Sequence, residues 1–472
     1  MSKFLLVPGA LALVLSAASP AWGASDAELA DIRDQIRQLK ESYETRIQAL
    51  EARLKQAEDA AKSPAAKPSD TKSSEPTAAP PPSAPPVAVA ASSPSSGLSA
   101  FNPAISAVLQ GTYSNLSQDP NQYAITGFAT GADIGPGKRS FSLGESELAL
   151  SANIDDKFAG NLIVSLTPEN TVSVEEAYAV ITALPDGITP KIGRFFSGLG
   201  YLNEQHQHVW DFVDAPLVYQ AFLGGQYNND GVQLKWVAPT DQFLEFGAEA
   251  GSGAGFPGTD RNKNGVGSGV VYAHIGDDIG ASHSWRAGVS YLQTGARNRE
   301  YTQPDVAGNN ALLAFDGTSH IAALDFVWKY APNGNAQNTN FKAQAEYFWR
   351  RERGDLVYDS DGALGVMQSA AYSSSQSGWY LQGVYQFMPY WRVGVRYDRL
   401  DPGHVDYGAN AAYLATPSFN PQRTSLMFDY TPSEFSRIRL QLAQDKAREG
   451  FTDNQFFLQY ILTMGAHGAH RY

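Results

Sequence analysis

A chain of 472 residues with a formal net charge of −13 and an isoelectric point near 5.1 has the wrong sign to hold nucleic acid. It contains no cysteine, which excludes a disulfide scaffold. Mean hydropathy is only −0.30 although aromatic residues reach 11%. A lipid-facing barrel combines these properties, because only every second strand residue meets hydrocarbon and Tyr and Trp collect at both interfaces.

At the N-terminus, Phe4–Ala18 is the only long apolar run, with Lys3 before it and Ala21-Trp22-Gly23-Ala24 after it. Residues 1–23 therefore read as a secretory signal peptide cleaved after Gly23. No later segment is apolar enough, over roughly 18 residues, to span a bilayer as a helix. Residues 24–63 are charged and helix-forming, with apolar positions at Leu29, Ile32, Ile36, Leu39, Tyr43, Ile47, Leu50, Leu54 and Ala57. Their spacing is a heptad seam with one four-residue stutter, so a periplasmic coiled coil is expected. A helix lying on a membrane surface is the rival, weakened by a polar face that mixes acids with bases. Residues 64–103 are Pro, Ala and Ser, densest at Ala79-Pro80-Pro81-Pro82-Ser83-Ala84-Pro85-Pro86. They cannot bury a core and predict an extended spacer that sets the coiled coil apart from residues 104–472, toward the cell-wall layer.

Residues 104–472 alternate short amphipathic strands with links that are by turns tight and long, the alternate links near Pro168–Asn170 and Glu449–Asp453 being short exceptions. Ile105–Tyr113, Phe141–Ala152 and Gly160–Leu166 open the series. Tight links fall at Asp155-Asp156, Leu184–Gly187, Pro239–Gln242, Asp277–Gly280, Pro332–Gln337, Met388-Pro389-Tyr390 and Pro432-Ser433-Glu434. One short rim and one ragged rim predict a transmembrane, antiparallel, up-and-down β-barrel of about sixteen strands. In Trp391–Asp398 the Trp, Val, Val and Tyr share one face and Arg, Gly, Arg and Asp the other. A barrel sends the first set to lipid and the second to a wet lumen, whereas a soluble sandwich would do the reverse. Trp285, Tyr291, Trp349, Trp379, Tyr385, Trp391, Phe428, Tyr430 and Tyr460 fall on the apolar face, as girdle residues should.

The link Gly198–Tyr227 is the third on the ragged rim. Its Trp210, Phe212, Leu217, Tyr219 and Phe222 need cover that a surface loop would not give them. It is therefore expected inside the barrel as a constriction carrying Glu204, His206, His208, Asp211 and Asp214. His206-x-His208, with Glu204 and Asp211 nearby, is a weak metal candidate, since alternate residues of extended chain point the same way. Lumen-facing acids come early (Glu145, Glu147, Glu176, Glu245, Glu249) and lumen-facing bases late (Arg286, Lys342, Arg350, Arg392, Arg396, Arg437, Arg439), alongside Glu346, Asp398 and Asp429. That order predicts an acidic wall facing a basic one, with the loop acids opposite Arg392, Arg396, Arg437 and Arg439 across a narrow aqueous gap. Pairing of those charges across strands is the alternative, and a one-residue register slip would move any of them. Asp260-Arg261-Asn262-Lys263-Asn264-Gly265 begins like a calcium loop but has Val271 where the acidic twelfth ligand belongs. With no nucleophile elbow, phosphate-binding loop or paired catalytic carboxylates, no enzyme and no cofactor are expected.

Val174-Glu175-Glu176-Ala177-Tyr178 followed by Lys191-Ile192-Gly193-Arg194-Phe195 resembles the family of phosphate-selective porins O and P. The resemblance implies a sixteen-stranded, trimeric outer-membrane diffusion channel for small hydrophilic solutes. The terminal Tyr472, after the amphipathic Gln455–Leu462, likewise resembles the signal read by outer-membrane assembly machinery. The third loop departs from that family in having no Lys or Arg, so phosphate preference is not implied. Two other functions fit the same features: an envelope-tethering barrel, plugged and inert, and a receptor that captures metal through the His-bearing loop.

Overall fold

A computed structural model describes residues 103–131, 134–259 and 264–465. The signal peptide, the heptad seam, the Pro/Ala/Ser spacer, part of the calcium-like turn and the terminal Tyr472 lie outside the described residues.

One antiparallel sheet closes on itself. Its first half is β1 (Ala104–Leu116), β2 (Ser140–Leu143), β3 (Ser146–Asn153), β4 (Phe158–Leu166), β5 (Val172–Ile181), β6 (Ile188–Phe196), β7 (Asn228–Val237), β8 (Phe243–Gly251) and β9 (Ser268–Ile279). Taller strands follow: β10 (His283–Pro304), β11 (Asn310–Tyr330), β12 (Asn340–Tyr358), β13 (Gln368–Met388) and β14 (Trp391–Asp406). The sheet ends with β15 (Gln422–Ser433), β16 (Ser436–Lys446) and β17 (Asp453–Gly465), and β17 pairs with β1 from Ser106↔Gly465 to Leu116↔Gln455. Because β2 and β3 both pair with β1, they are two halves of one wall strand, and the closed barrel has sixteen strands.

Every tight link read from the sequence joins strands at one rim. The other rim differs from expectation in one respect. Links β10–β11 and β12–β13 are short, because the chain there continues as strand for 22, 21, 19 and 21 residues in β10 to β13 instead of unwinding into loops. The tall part has its own core of Leu313, Phe315, Leu356, Tyr358, Tyr372 and Tyr407, capped by the turn Gly408–Ala412.

Alternation sets the two faces. Val395 and Leu426, opposite each other on β14 and β15, are 51% and 46% exposed, while Arg396 and Ser425 beside them are sealed inside. Near the tight-turn rim Trp391 stacks on Tyr430 with centroids 4.3 Å apart, Trp236 on Phe246, and His283 on Trp328. An aromatic belt under an apolar band, with charge held within, is the pattern a hydrocarbon surround selects. Replacing Val395 by Arg should therefore destabilise the barrel by about 2–4 kcal/mol in lipid vesicles, read from urea titrations of folding. An unchanged midpoint would mean that this face does not meet lipid.

Candidate functional site

The segment between β6 and β7 lies inside the barrel. Asn203, fully buried, closes its base: Nδ2 donates to the Ser197 and Tyr227 carbonyls at 2.8 Å each, and Oδ1 accepts from the Tyr227 N–H at 2.7 Å. Phe222, Leu217 and Tyr219 belong to the short helix α1 (Leu217–Leu223), every residue of which is buried. The wall supplies both of its caps. Asp398 on β14 accepts from the Leu217 N–H at 2.9 Å, and Arg350 on β12 donates to the Ala221 carbonyl at 2.9 Å. Charges of these signs are the ones a helix dipole favours at those ends. Around α1 an apolar cluster runs from Ile125 and Phe128 of the first ragged-rim loop to Phe348, Tyr380 and Leu400 of the wall.

Polar contacts tether the rest of the loop by sign. On the basic side, Asp211 contacts Lys342, sits 3.0 Å from Arg392 Nη1 and accepts from Gln382 at 3.2 Å. Asp214 lies 2.8 Å from Arg396 and 2.5 Å from Arg423. Arg437 and Arg439 donate to the Trp210 carbonyl, and Arg286 to that of Gly200. Burial opposes charge on both aspartates, but Lys342 and Arg392 hold Asp211 well below the usual carboxylate range, and Arg423 and Arg396 lower Asp214. On the acidic side, His206 places Nδ1 3.1 Å from Glu175 and Nε2 3.1 Å from Glu176, and His208 Nδ1 is 2.9 Å from Glu147. Glu249 accepts from the Gly198 N–H at 2.9 Å. Between the two sides, Glu346 accepts from the N–H groups of Tyr201 and Leu202 and from the hydroxyls of Tyr219 and Tyr380.

All seven basic residues singled out from the sequence touch the loop, as do Glu147, Glu176 and Glu249. Glu245 pairs instead with His274 and Lys235, and Glu145 lies against Glu175. Two expectations are corrected. Asp211 and Asp214 do not face the arginines across water; they bond to them directly, since the wall guanidiniums are themselves buried and need a counter-charge within reach. Glu204 and Asp211 do not join His206 and His208 around one ion: Glu204 goes to Lys235 at 3.1 Å and Asp211 to the opposite wall. Sequence reading missed Glu175, Arg423 and Asn203. The doublet Glu175-Glu176 in an otherwise alternating strand was the signal for the first, and the inward series Arg423, Ser425, Met427, Asp429 for the second. Asn203 gave none.

No family model matches this chain. An uncharacterized protein of Aquifex aeolicus is 32% identical over 356 residues, covering 71% of this chain and 70% of its own. Among solved structures, the outer membrane channel DcaP of Acinetobacter baumannii is 13% identical, with a TM-score of 0.47 over 77% of this chain and 97% of that one. A loop-deleted OmpT, an outer membrane protein of Vibrio cholerae, gives 12% and 0.46 over 77% and 99%. An anion-selective porin from Comamonas acidovorans gives 8% and 0.43 over 77% and 99%.

Removing one partner of a buried ion pair leaves the other uncompensated, so Asp211→Asn should destabilise the barrel by about 3–5 kcal/mol at neutral pH. Asp211 has a folded pKa below its free value of 3.8, so its contribution is complete above that value. It is lost as pH falls through the folded pKa. The stability gap between wild type and Asp211→Asn should thus stay constant from about pH 8 to 5 and close only below about pH 4. Chemical unfolding in detergent across that range measures it; a gap that closes near pH 6 would assign it to another group.

Proposed function

We propose that this chain, which belongs to the same family as the Aquifex aeolicus protein, is an outer-membrane porin: a passive channel for small hydrophilic solutes or ions. The observation that carries this reading is the inward third loop, tied by opposite charges to opposite walls of a polar lumen. Such a loop narrows the passage and sets what the passing solute meets. Charges held at a constriction with low-dielectric walls act on a permeating ion more strongly than they would in bulk water. On this reading residues 24–63 form a periplasmic coiled coil, residues 64–103 space it from the barrel, and three copies assemble, with the coiled coil reaching toward the cell wall. The acids Glu204, Asp211 and Asp214 and the pore-side bases from Arg286 to Arg439 then set ion preference.

A second reading, the envelope-tethering barrel, is favoured by one observation: the apolar cluster that joins Ile125 and Phe128 to α1 and the far wall occupies lumen that a wide channel would leave to water. Planar-bilayer recording separates the two. A porin gives stepwise ohmic openings. Asp211→Asn with Asp214→Asn should shift selectivity toward anions, and replacing Arg392, Arg396, Arg437 and Arg439 by Gln should shift it toward cations. A protein that inserts and never conducts would transfer the argument to the tether. Light scattering in mild detergent should give a trimer, weakened but not abolished when residues 25–63 are deleted.

A further inference from the structure

The acidic wall carries two defects in its strand pairing, and both lie at His206. Between β2 and β3, Gly111 pairs with Leu143 and Val108 with Glu147, so three residues, Gly144, Glu145 and Ser146, oppose two on β1. Outward positions are odd before this bulge, at Phe141 and Leu143, and even after it, at Leu148. Glu147 is thereby turned inward. A Cβ at position 144 would come within 2.4 Å of the Gln110 side chain, so a larger residue there would have to displace Gln110. Two strands away on β5, Glu176 pairs with Ile163 and Val174 with Val164, which leaves Glu175 as the extra residue. Consecutive carboxylates at 175 and 176 therefore both reach His206. Bulges of this kind re-aim side chains and concentrate at functional sites.

The result is three carboxylates, those of Glu147, Glu175 and Glu176, gathered around two imidazoles. Among the described residues, the ion-pair partners of Glu147, Glu175 and Glu176 are His206 and His208 alone. His206 Nδ1 stands 3.1 Å from Glu175 Oε2 and 3.4 Å from Glu147 Oε2, and the three donor atoms lie within 4.8 Å of one another. Ligands of a four-coordinate zinc ion, at about 2.0–2.1 Å from the metal, are spaced about 3.3 Å apart. Outer contacts are also in place. Glu176 takes the other ring nitrogen of His206, as the carboxylate behind a metal-bound imidazole does, and His208 holds the second oxygen of Glu147.

We propose that His206, Glu147 and Glu175 bind a divalent first-row transition-metal ion, a site distinct from the His206–His208 pair that spacing suggests. One imidazole with two carboxylates and no thiolate suits such an ion better than calcium or copper(I). Binding displaces the proton on His206 Nδ1 to solvent and leaves two positive charges in its place. That fixes the loop to the acidic wall as Arg392, Arg396 and Arg423 fix it to the basic one. The site does not depend on whether the barrel conducts, so bilayer recording and metal binding can fail separately.

The test uses the full chain, prepared without a polyhistidine tag, folded in detergent, stripped with chelator and titrated with Zn²⁺ by calorimetry. One ion per chain is expected, with affinity about tenfold or more weaker in Glu147→Gln and in Glu175→Gln and unchanged in the rim control Glu169→Gln. No binding, or binding indifferent to both substitutions, overturns the proposal. Should either variant fail to fold, zinc-edge X-ray absorption on the wild type decides. An imidazole among oxygen ligands supports the site, and an all-oxygen shell refutes it.

Discussion

A strand surrounded by hydrocarbon can satisfy its backbone only with another strand, and this constraint governs everything else in the molecule. It requires β17 to return to β1. It also inverts the usual economy of a globular fold, because apolar side chains gain nothing by turning inward when the exterior is already apolar. Polar and charged residues are then free to fill the interior. There they need one another, since a guanidinium such as Arg396 or Arg439, with no more than 1% exposure, is tolerated only with a counter-charge and hydrogen bonds in contact.

The loop from β6 to β7 supplies those partners. Its Asp211 and Asp214 serve the basic wall, its His206 and His208 the acidic one, and its bare carbonyls take the arginines left over. The basic wall pairs part of its charge within itself, Arg396 with Asp398 and Arg439 with Asp429, and the charge left over would be costly to bury alone. With the loop between them, Asp211 and Asp214 meet Lys342, Arg392, Arg396 and Arg423, and His206 and His208 meet Glu147, Glu175 and Glu176. The loop's position and the walls' composition are therefore one solution to one problem. This also explains why a segment about 30 residues long, with only a short helix of its own, is held by so many separate contacts.

Much of this was legible in the chain. Alternation of Trp391, Val393, Val395 and Tyr397 against Arg392, Arg396 and Asp398 gave the inside and outside of β14, and the tight turns gave the short rim. The aromatics of 210–222 announced a covered loop because their burial cost is large and local. Three-dimensional pairing was not legible. Which acid meets which base depends on barrel closure, which brings β3 and β5 to one side of the loop and β12 to β16 to the other, far apart in sequence. Alternation also says nothing about where strands stop; β10 to β13 run on past the point where turn-forming residues suggested loops, since their aromatic faces pack on one another.

The bulges mark the limit of a period-two reading most clearly. Phe141 and Leu143 point out, and so do Leu148 and, by continuing the same phase, Leu150, so the strand changes phase at Gly144. A strict alternation would have put either Phe141 or Leu148 in the lumen. The flip was written in the sequence as a glycine between two out-of-step apolar pairs, and the doublet Glu175-Glu176 recorded the second one. Both irregularities act on the same point: they turn Glu147 and Glu175 toward His206. The sheet also shifts register between Ala296 and Arg299, Ser375 and Ser377, Gln386 and Met388, and Tyr430 and Ser433, but the two breaks on the acidic wall are the ones that turn acids toward His206.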